Sequence, residues 1–139
     1  MATWQVGPFD NDDAVEWLST LEMTQPDGRL KLTTDTFRAV ALAGTGLTAT
    51  DTARAIAAAA TVLQCLTGAP VSNSPYAPQF LAQGSIHVAE PLRELAIRTL
   101  DVILVDGSPW RQQWANHVEE EDAIVAIQKL RNDLIKRLP

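Results

Sequence analysis

The run TATDTARAIAAAATVLQCLTG, from Thr48 to Gly68, decides how this chain folds. Alanine is the strongest helix former, and Ile56, Ala59, Ala60, Val62, Leu63 and Leu66 leave little of a helical circumference polar. A helix that is apolar nearly all round has to be enclosed by others. The segment is therefore expected at the centre of a bundle, packed closely through its alanines. Its limits are also legible. Thr48 with Asp51 three positions later resembles a capping box, and Gly68 stops the run ahead of a long loop holding Pro70, Pro75 and Pro78.

Working outward, the other segments carry the partial apolar stripes that a central helix requires as partners. From Asn11 to Met23, Ala14, Trp17, Leu18 and Leu21 recur at helical spacing, with Asp10 or Asn11 as N-cap and the turn Pro26-Asp27-Gly28 as the end. Leu30 to Ala43 is also read as helix, on the period of Phe37, Val40 and Ala41. Leu30-Lys31-Leu32 alternates like a strand and the threonines at 33, 34 and 36 oppose that reading, while Gly44-Thr45-Gly46 supplies an end. A short helical turn is expected through Phe80 and Leu81. Pro91 opens a further helix striped by Leu92, Leu95, Ala96, Thr99 and Ile103 and closed by Gly107. Ser108-Pro109 starts a short helix with Trp110 and Trp114 on one face, and a last helix runs from about Glu119 to Arg137 on the seam Ile127, Leu130, Leu134 and Leu138. No strand pattern or repeat emerges. The expected fold is all-α, a single compact bundle of about six or seven helices around a central Ala-rich helix, with residues 1–139 as one domain.

Charge narrows the partners. Seventeen acidic against eleven basic residues give a formal net charge of −6, which works against tracking a phosphate backbone or an anionic membrane and favours a neutral or basic protein partner. The most apolar segments, Ala53 to Leu66 and Leu92 to Val105, are short and interrupted by charge, so they read as core helices and not as membrane spans. No secretory leader is expected at the start, because Pro8 and the acids Asp10, Asp12 and Asp13 break it. The lone Cys65 cannot form an internal disulfide and suits a buried small hydrophobe in a reducing, cytoplasmic setting.

Catalytic patterns are not found. There is no Gly-x-Ser-x-Gly, no His-Glu-x-x-His and no paired Cys-x-x-Cys, and Gly44-Thr45-Gly46 lacks the Gly-Lys-Ser/Thr of a phosphate loop. Asp10, Asp12, Asp13 and Glu16 are dense in oxygen ligands. A calcium loop, however, would want an oxygen donor at Ala14, glycine at Val15 and glutamate at Leu21. The cluster reads either as a solvated complement to the helix dipole or as part of a metal site shared with His117. Trp110 and Trp114 read either as core or as interface anchors.

The N-terminal string Thr3-Trp4-Gln5-Val6-Gly7-Pro8-Phe9-Asp10-Asn11-Asp12-Asp13-Ala14-Val15-Glu16-Trp17 resembles the Trp-x-x-Gly-x-Phe-x-Asn-Asp-x-Ala block of the bacterial domain-of-unknown-function family numbered 4259. The resemblance implies a small bacterial helical domain and supplies no activity. Physically the block reads as a lid on a helix start. Phe9 staples against Ala14 or Val15, Asp10 accepts the amide of Asp12 or Asp13, and Trp4 covers one end of the core.

These readings lead to a non-catalytic protein-binding module, in the manner of an inhibitor or immunity-type partner of a basic protein, without cofactor or metal. Its expected surface comprises Asp10, Asp12, Asp13, Glu16, Trp110, Trp114, Glu119, Glu120 and Glu121. The alternative is a metal-dependent enzyme using Asp12, Asp13, Glu16 and His117.

Overall fold

The computed structural model describes residues 7–43, 46–71, 74–81 and 84–136. Within them lie six α-helices: α1 (Asp12–Met23), α2 (Arg29–Ala41), α3 (Ala49–Thr67), α4 (Glu90–Leu104), α5 (Pro109–Trp114) and α6 (Glu120–Lys136). A 3-10 turn, Pro26–Gly28, leads into α2. The described residues contain no strand. The alanine-rich segment is the axis of the molecule, since α3 packs on all five other helices. Ala55 and the run Ala57, Ala58, Ala59 and Ala60 have no exposed surface, so neighbouring backbones can approach from several sides. Thr48 accepts the Asp51 amide at 3.1 Å at one end of α3. At the other end Gly68 adopts φ 76°, where a side chain would be strained, and donates its N–H to the Gln64 carbonyl.

At the start of α1, Asn11 is the cap and accepts the Ala14 amide at 2.8 Å. Asp10 does not take the amides of Asp12 or Asp13. It is buried, and its carboxylate accepts the Ser74 hydroxyl at 2.5 Å, which ties the N-terminal block to the proline-rich connection. Gly7 belongs to the same clasp, because a Cβ there would stand 2.2 Å from Asp10 Oδ2. Phe9 is fully buried as the staple reading requires. Trp4, Gly44 and Thr45, Arg137 and Leu138 lie outside the described residues.

The three threonines of α2 do not break it. Thr33, Thr34 and Thr36 each donate a hydroxyl to the carbonyl four residues back, at 2.8, 2.8 and 2.7 Å, so their polar atoms are met inside the helix. Arg29 closes the α1–α2 corner. Its guanidinium donates to the carbonyls of Leu21, Glu22 and Thr24 at the end of α1 and lies 5.2 Å over the Phe80 ring.

The expected helical turn at Phe80 and Leu81 is not formed. The Pro78 and Leu81 carbonyls instead turn inward to accept the Gln64 side-chain amide at 3.1 and 3.4 Å, which competes with a local helical bond. Gly84 donates to the Cys65 carbonyl, and Ala77, Leu81, Ile86 and Val88 are buried, so this connection is part of the core. Beneath it, burial pushes the Cys65 thiol above its ordinary pKa.

On the far side, α4 ends at Leu104, before the expected Gly107, because Ser108 turns the chain. Its hydroxyl donates to the Ile103 carbonyl at 2.7 Å and accepts the Arg111 amide that begins α5. α6 buries Ala123, Ile127, Leu130 and Leu134 against α3 and α4. Arg93 of α4 completes it by donating to the carbonyls of Leu134 and Ile135 while paired with Glu90. No helix of the described residues is long and apolar enough to cross a membrane.

Candidate functional site

Where α1, α2 and α3 meet, their packing leaves a groove of about 330 Å³, at the small end of the usual range for binding clefts. Trp17 forms its floor. The side chain is 4% exposed, and its indole N–H donates to Thr36 Oγ1 at 2.9 Å, joining α1 to α2. Thr36 can accept because its own proton is committed to the Leu32 carbonyl at 2.7 Å. Leu32 and Ala39 supply apolar wall, and Thr20 lies at the edge.

Each helix contributes one carboxylate to the lining: Glu16 from α1, Asp35 from α2 and Asp51 from α3. Arg54, one turn beyond Asp51, is the lining's cation. Asp35 is partly neutralised by Lys31 at 2.6 Å. Glu16, Asp51 and Arg54 enter no ion pair among the described residues. The groove thus presents excess negative charge over an apolar, hydrogen-bonded floor, a combination suited to a cationic side chain with an aliphatic stem.

Of the nine residues expected on a binding surface, Glu16 is the one in this groove. Asp12 is exposed and Asp13 half-buried in the first turn of α1, where the helix dipole favours them. Glu119 and Glu121 are exposed and Glu120 half-buried around the start of α6. The other three are interior. Asp10 is 7% exposed and held by Ser74, and Trp110 and Trp114 are 5% and 8% exposed. The two indoles pack with centroids 6.3 Å apart, and His117 presents an edge to Trp114 at 5.0 Å. Their i,i+4 spacing put them on one face, and that face is the inner one.

His117 sits in the turn between α5 and α6, where Nδ1 accepts the Glu119 amide at 3.1 Å. Among the described residues no three His, Cys, Asp or Glu side chains gather as metal ligands would, so Asp12, Asp13, Glu16 and His117 do not form one constellation. Sequence reasoning missed Asp35, Asp51, Arg54 and Thr36. Asp51 was visible as a cap partner and Thr36 as an unfavourable helix residue, but their convergence belongs to the packing of three helices.

A family model matches residues 2–125, and its description is Domain of unknown function (DUF4259). The chain belongs to this family. The DUF4259 match takes in the N-terminal block and every residue lining the groove, and it ends inside α6. No curated protein and no solved structure matches the chain.

Proposed function

We propose that this DUF4259 domain is a non-catalytic, cytoplasmic binding module for a basic protein, acting as an inhibitor or immunity-type partner. In this reading the α1–α2–α3 groove is the seat of a lysine or arginine side chain. The observation that carries it is the meeting of three carboxylates, one from each of three helices, above a tryptophan floor. A net charge of −6 adds steering of a cationic partner, and it disfavours nucleic acid and anionic membrane. The acids of early α1 and of the α6 start extend the negative surface beyond the groove.

The experiment is calorimetric titration of the domain with an arginine-rich peptide, compared with the triple variant Glu16→Gln, Asp35→Asn, Asp51→Asn. Loss of three rim charges should weaken binding by about tenfold or more, with most of the change in salt-sensitive affinity. Equal affinity of the two proteins would remove the groove from the reading. Loss only when Asp12, Asp13 and Glu119 to Asp122 are neutralised would move the contact to the helix starts.

A further inference from the structure

The outer side of α6 has a pattern that the fold does not use. Val125, Gln128, Asn132 and Ile135 are all exposed, and their spacings of three, four and three place them in one stripe opposite the buried seam. Val125 and Ile135 are 51% and 43% exposed, large apolar side chains left in water. The order apolar, amide, amide, apolar reads alike from either end. Charges beside the middle of the stripe are met within the chain, Lys129 by Asp133 at 2.7 Å and Arg131 by Asp101 on α4. At its two ends Glu121 and Lys136 are exposed and enter no ion pair among the described residues.

A surface that is its own mirror in sequence, with opposite charges at its ends, fits a second copy laid antiparallel. With a two-fold axis crossing the outer face of α6 at the level of Leu130, Val125 comes level with the partner's Ile135 and Gln128 with the partner's Asn132. Glu121, nine residues from the axis, then stands three residues, about 4.5 Å, beyond the level of the partner's Lys136, an offset that these long side chains span, twice by symmetry. A parallel arrangement would oppose like charges instead. We propose that the domain self-associates through α6 as an antiparallel two-fold dimer. A contact made by one helix face about 25 Å long lies at the low end of interface sizes, so the association is weak and depends on concentration. It shares no residue with the groove.

The test is sedimentation equilibrium of the full chain from micromolar to millimolar concentration. The apparent mass should climb from one chain toward two, and Val125→Glu or Ile135→Glu should hold it at one. Glu121→Lys and Lys136→Glu should each weaken the dimer by about tenfold, since each alters two symmetry-related pairs, and the two combined in one chain should restore it. Helical circular dichroism identifies any variant that fails to fold, and these positions are exposed. A mass that stays at one chain throughout overturns the proposal. So does a dimer that Val125→Glu leaves intact, or a double charge swap weaker than either single one.

Discussion

The bond between Trp17 Nε1 and Thr36 Oγ1, at 2.9 Å, is the polar contact that fixes α1 to α2 at the groove floor, and a double-mutant cycle measures it. Thr36→Val keeps the shape of the side chain but leaves the indole N–H of a nearly buried tryptophan without its acceptor, a cost of about 1–3 kcal/mol. Trp17→Phe removes the donor and part of a buried ring. Lost burial and an incompletely collapsed space should cost about 1–3 kcal/mol. No orphan follows on the threonine side, because its hydroxyl still donates to the Leu32 carbonyl. In the Trp17→Phe background Thr36→Val should therefore be milder, with a coupling of about 0.5–1.5 kcal/mol. Urea unfolding followed by helical ellipticity supplies the four free energies, provided the slopes agree. A coupling below about 0.3 kcal/mol, the usual scatter for independent sites, would refute the bond and with it the described floor.

Gly7→Ala brings a Cβ to 2.2 Å from Asp10 Oδ2 and should displace that carboxylate from Ser74. We expect a loss of about 1–2 kcal/mol by thermal unfolding, and almost none once Asp10 is alanine. The Arg93 guanidinium, bonded to Glu90, holds that carboxyl below the ordinary glutamate pKa. The pair's contribution to stability is accordingly complete above the ordinary glutamate range and is lost as pH falls through the lowered value. The stability difference between the unmodified chain and Glu90→Gln should shrink on acidification, and a difference constant from neutral to acid pH would contradict the pairing. Cys65, buried beneath the connection to α4 with its thiol pKa raised by burial, should react with a disulfide reagent only as fast as the fold opens. Complete, rapid labelling of the native protein at neutral pH would show the cover to be absent.

What could be read from the residues was whatever depends on short-range order. The alanine run, the threonine and glycine at its ends, and the apolar stripes on either side determine helices within a few positions, and a helix apolar all round can only lie inside. The strand-like Leu30-Lys31-Leu32 resolved as helix because the following threonines find acceptors in the preceding turn. Long-range pairings stayed out of reach. Asp10 resembles a cap by its position, yet Ser74, 64 residues away, takes its carboxylate. Gln64 lies on the apolar helix and looks like an interruption, yet it organises the Pro78 to Leu81 backbone and so prevents the helical turn expected there. Nothing local distinguishes Trp17, which floors a groove, from Trp110 and Trp114, which fill the interior.

Two of the groove's three carboxylates stand outside the contacts that hold this part of the fold together. Trp17, Thr36 and the buried alanines of α3 hold the three helices together here, and none of that packing calls on the carboxylates of Glu16 or Asp51, which enter no ion pair among the described residues. Surface charges with no such partner ordinarily change stability by no more than about 0.5 kcal/mol when removed, and bringing three like charges around one hollow opposes folding slightly. Their arrangement is therefore free to serve a partner at little expense to the fold. The same separation makes the binding test interpretable, because the neutralised variant should unfold like the original protein. Any affinity it loses must then have belonged to the groove.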